Sequence, residues 1–185
     1  MILLYDFALI CYKTTLCVAA FFNPKAKKWC EGRRYLFAEM AEKLSKKGDK
    51  QTVWIHVASL GEFEQGRPLI EKIKKERPDG CLILTFFSPS GYEMRKNYPL
   101  ADYVFYLPLD TRRNAHRFLD LVKPDLVIFV KYEFWFHFLH ALKKRRIPTL
   151  LISGIFRKKP KRPPSVFMVV FYKKYCLFSP IFFCK

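Results

Sequence analysis

No two of the six cysteines form a CxxC pair, and their spacing builds neither a metal knuckle nor a disulfide frame. They read as reduced thiols of a cytosol-facing protein. No GxGxxG follows the first apolar strand, and no GxxxxGK followed by Ser or Thr occurs anywhere, so neither a dinucleotide oxidoreductase nor a P-loop enzyme is supported. The GxSxG elbow of the usual α/β hydrolase is missing too. Acidic side chains are scarce, 16 against 34 basic ones, for a formal charge of +18. Residues 157–185 hold eight Lys or Arg and no acid, so one end exaggerates the imbalance. The other basic residues are spread out with no RNP-like or helix-turn-helix signature, and nucleic acid is not an expected partner. Only His137 and His140 of the four histidines share helical i, i+3 spacing, without a carboxylate or cysteine partner at ligand spacing in the sequence. They read as solvated helix residues, and neither a metal nor a cofactor is expected.

The 185 residues are 51% apolar, enough to bury the core of one ordinary domain. Residues 2–22, ILLYDFALICYKTTLCVAAFF, are almost wholly apolar and about long enough to cross a bilayer, although Asp6 and Lys13 interrupt the span. The run has no basic segment before it, and Ala19-Ala20-Phe21 is a poor cleavage site, which argues against a secretory signal. Lys25, Lys27, Lys28, Arg33 and Arg34 follow, interleaved with Trp29 and Tyr35, as headgroup-facing charge and interfacial aromatics would be. Residues 1–24 are therefore read as a membrane anchor or interfacial helix, the alternative being a first helix packed on the domain. Residues 34–47 continue helically, with Leu36, Phe37, Met40 and Leu44 on one side.

Apolar strand-like runs recur at Thr52–Ala58, Cys81–Phe87, Tyr103–Leu107, Leu126–Val130 and Thr149–Ser153. Between them lie helical patterns at 63–77, 90–97, 112–122 and 135–146, punctuated by Arg77-Pro78-Asp79-Gly80 and Lys123-Pro124-Asp125. Strands alternating with amphipathic helices imply a parallel α/β sheet, a Rossmann-like half, with its chemistry at the carboxyl ends of the strands. The loops at that edge carry Ser59-Leu60-Gly61-Glu62, Ser88-Pro89-Ser90-Gly91, Pro108-Leu109-Asp110-Thr111 and Lys131-Tyr132-Glu133-Phe134-Trp135. Ser59 and Glu62 fit first a capping box at a helix entered at Glu62, and the same residues permit a strand-end carboxylate serving as general base. Glycines and hydroxyls before helix N-termini, as in Ser88, Ser90 and Gly91, suit phosphate approach, although Ser88 with Pro89 also fits a plain cap. Arg67 follows on the same helix as Glu62 and is either a substrate contact or a solvated charge.

Taken in order, Ser59-Leu60-Gly61-Glu62, Ser88-Pro89-Ser90-Gly91, Leu107-Pro108-Leu109-Asp110, Glu133-Phe134-Trp135 and Ile152-Ser153-Gly154-Ile155-Phe156 resemble the N-terminal half of 3-deoxy-D-manno-octulosonic acid (Kdo) transferases. The resemblance covers about residues 1–157. It implies a GT-B glycosyltransferase that moves Kdo from CMP-Kdo to the lipid A precursor at the cytoplasmic face of the bacterial inner membrane, without a metal. Glu62 then becomes the catalytic base, and Ser59, Gly61, Arg67, Ser88, Ser90, Gly91, Lys131 and Glu133 the substrate-binding set. Lys131 and Phe136-His137 depart from the family pattern of Glu and Pro-Asn, so Lys131 is expected to meet a substrate phosphate or Glu133. Residues 25–157 form the glycosyltransferase domain. Residues 158–185 read as an atypical basic tail from a truncated or frameshifted end, leaving out the C-terminal donor-binding domain and leaving the isolated chain inactive. The competing expectation is a non-catalytic module that binds the anionic lipid at a membrane surface without turnover.

Overall fold

The computed structural model describes residues 2–131, 133–152 and 183–184. It begins with three helices, α1 (Ile2–Ala19), α2 (Pro24–Arg34) and α3 (Leu36–Leu44). An alternating unit follows: β1 (Thr52–Val57), α4 (Leu60–Glu76), β2 (Cys81–Phe86), α5 (Pro89–Arg95), β3 (Tyr103–Tyr106), α6 (Arg112–Val122), β4 (Leu126–Val130), α7 (Phe136–Lys144) and β5 (Thr149–Ile152). All strand pairings are parallel in the order β3-β2-β1-β4-β5, and a two-residue strand, β6 (Phe183–Cys184), pairs with β5 at the edge. The expected Rossmann-like α/β sheet is present. The strand order reverses between β1 and β4, and a crevice outside the carboxyl ends of such strands is where open α/β sheets take ligands.

Period-two alternation along buried strands sorts the core into two layers. Trp54, Ile83, Phe105, Val127 and Phe129 face α3, α6 and α7, where they meet Met40, Phe118 and Phe138. Val53, Ile55, Val57, Leu84, Phe86 and Ile128 face the other way, against Phe63 and Ile70 of α4. Each fully buried large side chain of this kind contributes about 1.5–3 kcal/mol relative to exposure. Gly66 lets α4 approach the sheet, since a Cβ there would lie 3.1 Å from Val130.

The amino-terminal region is more extensively folded than its sequence pattern indicates. Asn23 and Pro24 start a helix across the expected basic flank: Asn23 Oδ1 accepts from the amides of Lys25 at 2.8 Å and Ala26 at 3.3 Å, and Pro24 needs no partner at the first helical position. Trp29 is buried in α2 rather than interfacial. Arg33 turns into the protein, donating to Leu107 O at 2.9 Å and Phe87 O at 2.8 Å while its guanidinium stacks on Trp29 at 4.1 Å. Helix α1 is long and apolar enough to cross a membrane by length and composition, with a mean hydropathy of 1.6. Here it lies against the domain through Leu9, Tyr5 and Asp6 while Ile2, Leu3, Leu4, Phe7 and Ile10 are exposed. His137 is buried, not solvated, because its Nε2 meets the Asp6 carboxylate at 2.6 Å. The expected basic tail, 158–185, lies outside the described residues except for Phe183 and Cys184.

Candidate active site at the ends of β1 and β4

Strand β1 delivers the chain through Ala58 to Ser59, whose extended backbone (φ −143°, ψ 179°) caps α4. The helix begins at Leu60, not Glu62, which makes Glu62 its third residue, at the partly positive helix end. The residues are those of a capping box, but the bonds are not. The Ser59 hydroxyl donates to Glu62 Oε2, and its oxygen takes no backbone amide. Lys131 Nζ stands 3.5 Å from Glu62 Oε1. Partial burial pushes the Glu62 carboxyl up, but the Ser59 hydroxyl, the residue's own amide and the Lys131 ammonium more than offset it. The result is a carboxylate held below the usual range, ionised and fixed by two side chains.

Lys131 reaches Glu62 because the backbone turns where β4 ends. Its φ is +66°, its amide donates to Ile152 O at 2.8 Å, and its carbonyl accepts from Glu133 N at 3.0 Å. Left-handed backbone costs a non-glycine residue about 1–2 kcal/mol, and such outliers gather at functional sites. The turn sends the two charged residues to different partners. Lys131 pairs with Glu62 rather than with Glu133. Glu133, on the far side of the turn, accepts from Trp135 Nε1 at 2.7 Å on Oε2, which also lies 3.4 Å from His56 Nε2.

The Ser88–Gly91 loop adjoins the first. Ser88 N donates to Ala58 O at 2.7 Å, tying the two strand ends together. Ser88 caps α5 through Ser90 N at 3.4 Å and shares a 2.9 Å hydroxyl contact with Ser90. Gly91 is buried: a Cβ there would lie 2.4 Å from the Phe86 ring and 3.1 Å from Leu60 N, so its lack of a side chain lets α5 sit beside the start of α4. Gly61 lies in the first turn of α4 with open room around it, its nearest neighbour for a Cβ being Ser59 Oγ at 3.9 Å. Arg67 is not drawn into the cluster. It lies five residues beyond Glu62, about 140° around the helix, and pairs with Glu64 at 3.4 Å and Glu71 at 3.8 Å.

Three residues gain roles that the sequence reading did not give them. Asp110 is fully buried and caps α7 from a distance, accepting from the amides of His137 at 3.0 Å and Phe138 at 2.9 Å and from the Tyr5 hydroxyl. It thereby sets the start of α7, directly after Glu133 and Trp135. Arg33 binds the carbonyls at the ends of β2 and β3, fastening α2 over that edge. His56 is buried on β1 beside Glu133. Its one sequence signal was a polar residue inside an apolar strand. The aromatic set Tyr12, Trp29, Phe87 and Trp135 links α1 to this crevice, with Phe87 and Trp135 ring centres 4.7 Å apart.

A family model described as 3-deoxy-D-manno-octulosonic-acid transferase (kdotransferase) matches residues 32–180. Proteins with the same description match as well: one from Haemophilus influenzae is 33% identical over 150 residues, 79% of this chain and 34% of the relative. One from Chlamydia muridarum is 37% identical over 115 residues, 61% of this chain and 27% of the relative. One from Aquifex aeolicus is 35% identical over 120 residues, 64% and 29% of the two chains. The chain spans about a third of the length of these relatives.

Proposed function

The chain belongs to the 3-deoxy-D-manno-octulosonic-acid transferase family, and on that premise we propose that these residues form the acceptor-side half of a GT-B enzyme transferring Kdo from CMP-Kdo to a lipid A precursor in lipopolysaccharide biosynthesis. The observation that carries the reading is Glu62, a carboxylate at a strand-helix junction held ionised by Ser59 and Lys131. In the proposed step, Glu62 takes the proton of an acceptor hydroxyl as that oxygen bonds to the anomeric carbon of Kdo. CMP departs with the electron pair of the broken bond. CMP is a competent leaving group, so the acceptor side needs chiefly an oriented base, and no metal is called for. CMP-Kdo would be held by a second domain outside these residues.

An acylated, phosphorylated acceptor needs an apolar surface beside cations. The exposed apolar face of α1, with Phe21 and Phe22, and the lysines of α2 support that reading and a seat on the anionic cytoplasmic face of the bacterial inner membrane. Ser88, Ser90 and the α5 cap are proposed to meet polar groups of the substrate. The test combines binding of the lipid A precursor in detergent with a transfer assay in which a donor-binding half is supplied on a separate chain. Wild type should bind and transfer, and Glu62→Ala should bind without transferring. Wild type that binds but never transfers would favour a lipid-binding module. Failure of both would overturn the proposal.

A further inference from the structure

His56 occupies the end of β1 with no exposed side-chain surface. Its Nδ1 lies 3.1 Å from the Thr85 carbonyl oxygen and 2.9 Å from Thr85 Oγ1. The carbonyl only accepts. The hydroxyl already accepts from Trp54 Nε1 at 2.8 Å, and its own hydrogen points at Ile55 O, 3.5 Å away. The arrangement closes consistently when Nδ1 carries a hydrogen and donates to Thr85. Nε2 then has the opposite task. It is buried without a well-formed hydrogen bond and lies 3.4 Å from Glu133 Oε2, with the rings of Phe129 and Trp135 edge-on around it. A bare Nε2 lone pair facing a carboxylate oxygen in so apolar a place would set two acceptors against each other.

We propose that His56 is a positioning residue for Glu133, carrying a hydrogen on Nε2 as well as on Nδ1 and directing it at Oε2, so that Glu133 presents a fixed, charge-compensated hydrogen-bonding group to the substrate. The inference rests on the reading of Glu133 as part of the transferase site. It separates the two carboxylates by role. Glu62 is paired with surface-accessible Lys131, whereas Glu133 faces the buried His56 ring and the Trp135 indole. Trp135, donating to the same Oε2, locks the carboxylate's rotation.

The experiment is nitrogen-15 NMR of the histidine-labelled full chain in detergent at neutral pH, which reads the protonation of each ring nitrogen directly. The expected wild-type result is a His56 Nε2 carrying, or sharing, a proton. In Glu133→Gln that proton should be gone and Nε2 should accept from the new amide, while Nδ1 stays protonated. A bare Nε2 in wild type, or an Nε2 signal indifferent to Glu133→Gln, overturns the proposal. Glu133 is partly exposed and the substitution nearly isosteric, and the wild-type spectrum needs no variant at all. The readout is also independent of transfer: loss of Kdo transfer with the shared proton intact would refute the function and leave the pair standing, and the converse would do the reverse.

Discussion

Glu62 shows how far single residues determine the chemistry. Its carboxyl lies below the ordinary range because Ser59 and Lys131 favour the charged form, so it is available as a proton acceptor further into acid than a free carboxylate. The sign of the linkage follows. A depressed pKa contributes stability above the unfolded value, and that contribution is lost as the pH falls through the folded value. Lys131→Ala should move the acid limb of complemented transfer to higher pH, toward the ordinary carboxylate range, and a pH–rate profile checks it. Glu62→Gln should leave lipid binding within about threefold and lower complemented transfer by about 10²–10⁴-fold, the usual worth of a general base. Glu62 was legible in the sequence as an alternative between cap and base. The Ser59 hydroxyl donating to its carboxylate is a detail that the capping motif does not specify.

At the scale of elements, α7 begins where a buried carboxylate from another loop meets its first amides. Asp110→Ala would leave the amides of His137 and Phe138 buried without partners and remove one acceptor of the Tyr5 hydroxyl. The expected loss is about 2–3 kcal/mol by urea denaturation, a lost cap plus desolvated donors. Helix α2 makes a second case. Gly32→Ala gains about 1 kcal/mol of helix propensity. The new Cβ would lie 2.2 Å from the Tyr106 ring, which Tyr92 stacks at 3.9 Å and Arg33 covers. Overpacking of about 1–3 kcal/mol should outweigh the gain, and the same denaturation series measures the sign. Strands and helices from β1 onward were readable to within a few residues because their periods are clear. α2 was not, since its charges also suit a membrane flank and outweigh the short start signal Asn23-Pro24.

For the whole molecule, α1 presents an exposed apolar face among the described residues, continued just beyond it by Phe21 and Phe22, with Leu3, Phe21 and Phe22 all more than four-fifths exposed. Residues 2–22 should therefore carry membrane association. Deleting them should abolish flotation with vesicles containing anionic lipid, while circular dichroism of the α/β unit is retained with some loss of stability from the missing Tyr5 and Asp6 contacts. Flotation that survives the deletion would place the binding surface on α2 instead. In the intact chain, the charge-dependent share of binding should weaken with salt, since exposed lysines act within a Debye length of about 8–10 Å.

The order of apolar runs and turn residues, by itself, determined an all-parallel α/β sheet with its loops gathered at one edge, because periodicity and connection rules are local. It also placed Glu62 and Glu133 at strand ends. Only the tertiary structure decided that β1 and β4 are neighbours, with Val53 opposite Leu126 and His56 opposite Phe129. Pairing across more than 70 residues is a matter of how whole layers pack, and no local pattern records it. From that pairing come the Lys131–Glu62 and His56–Glu133 contacts, which give the two carboxylates different partners.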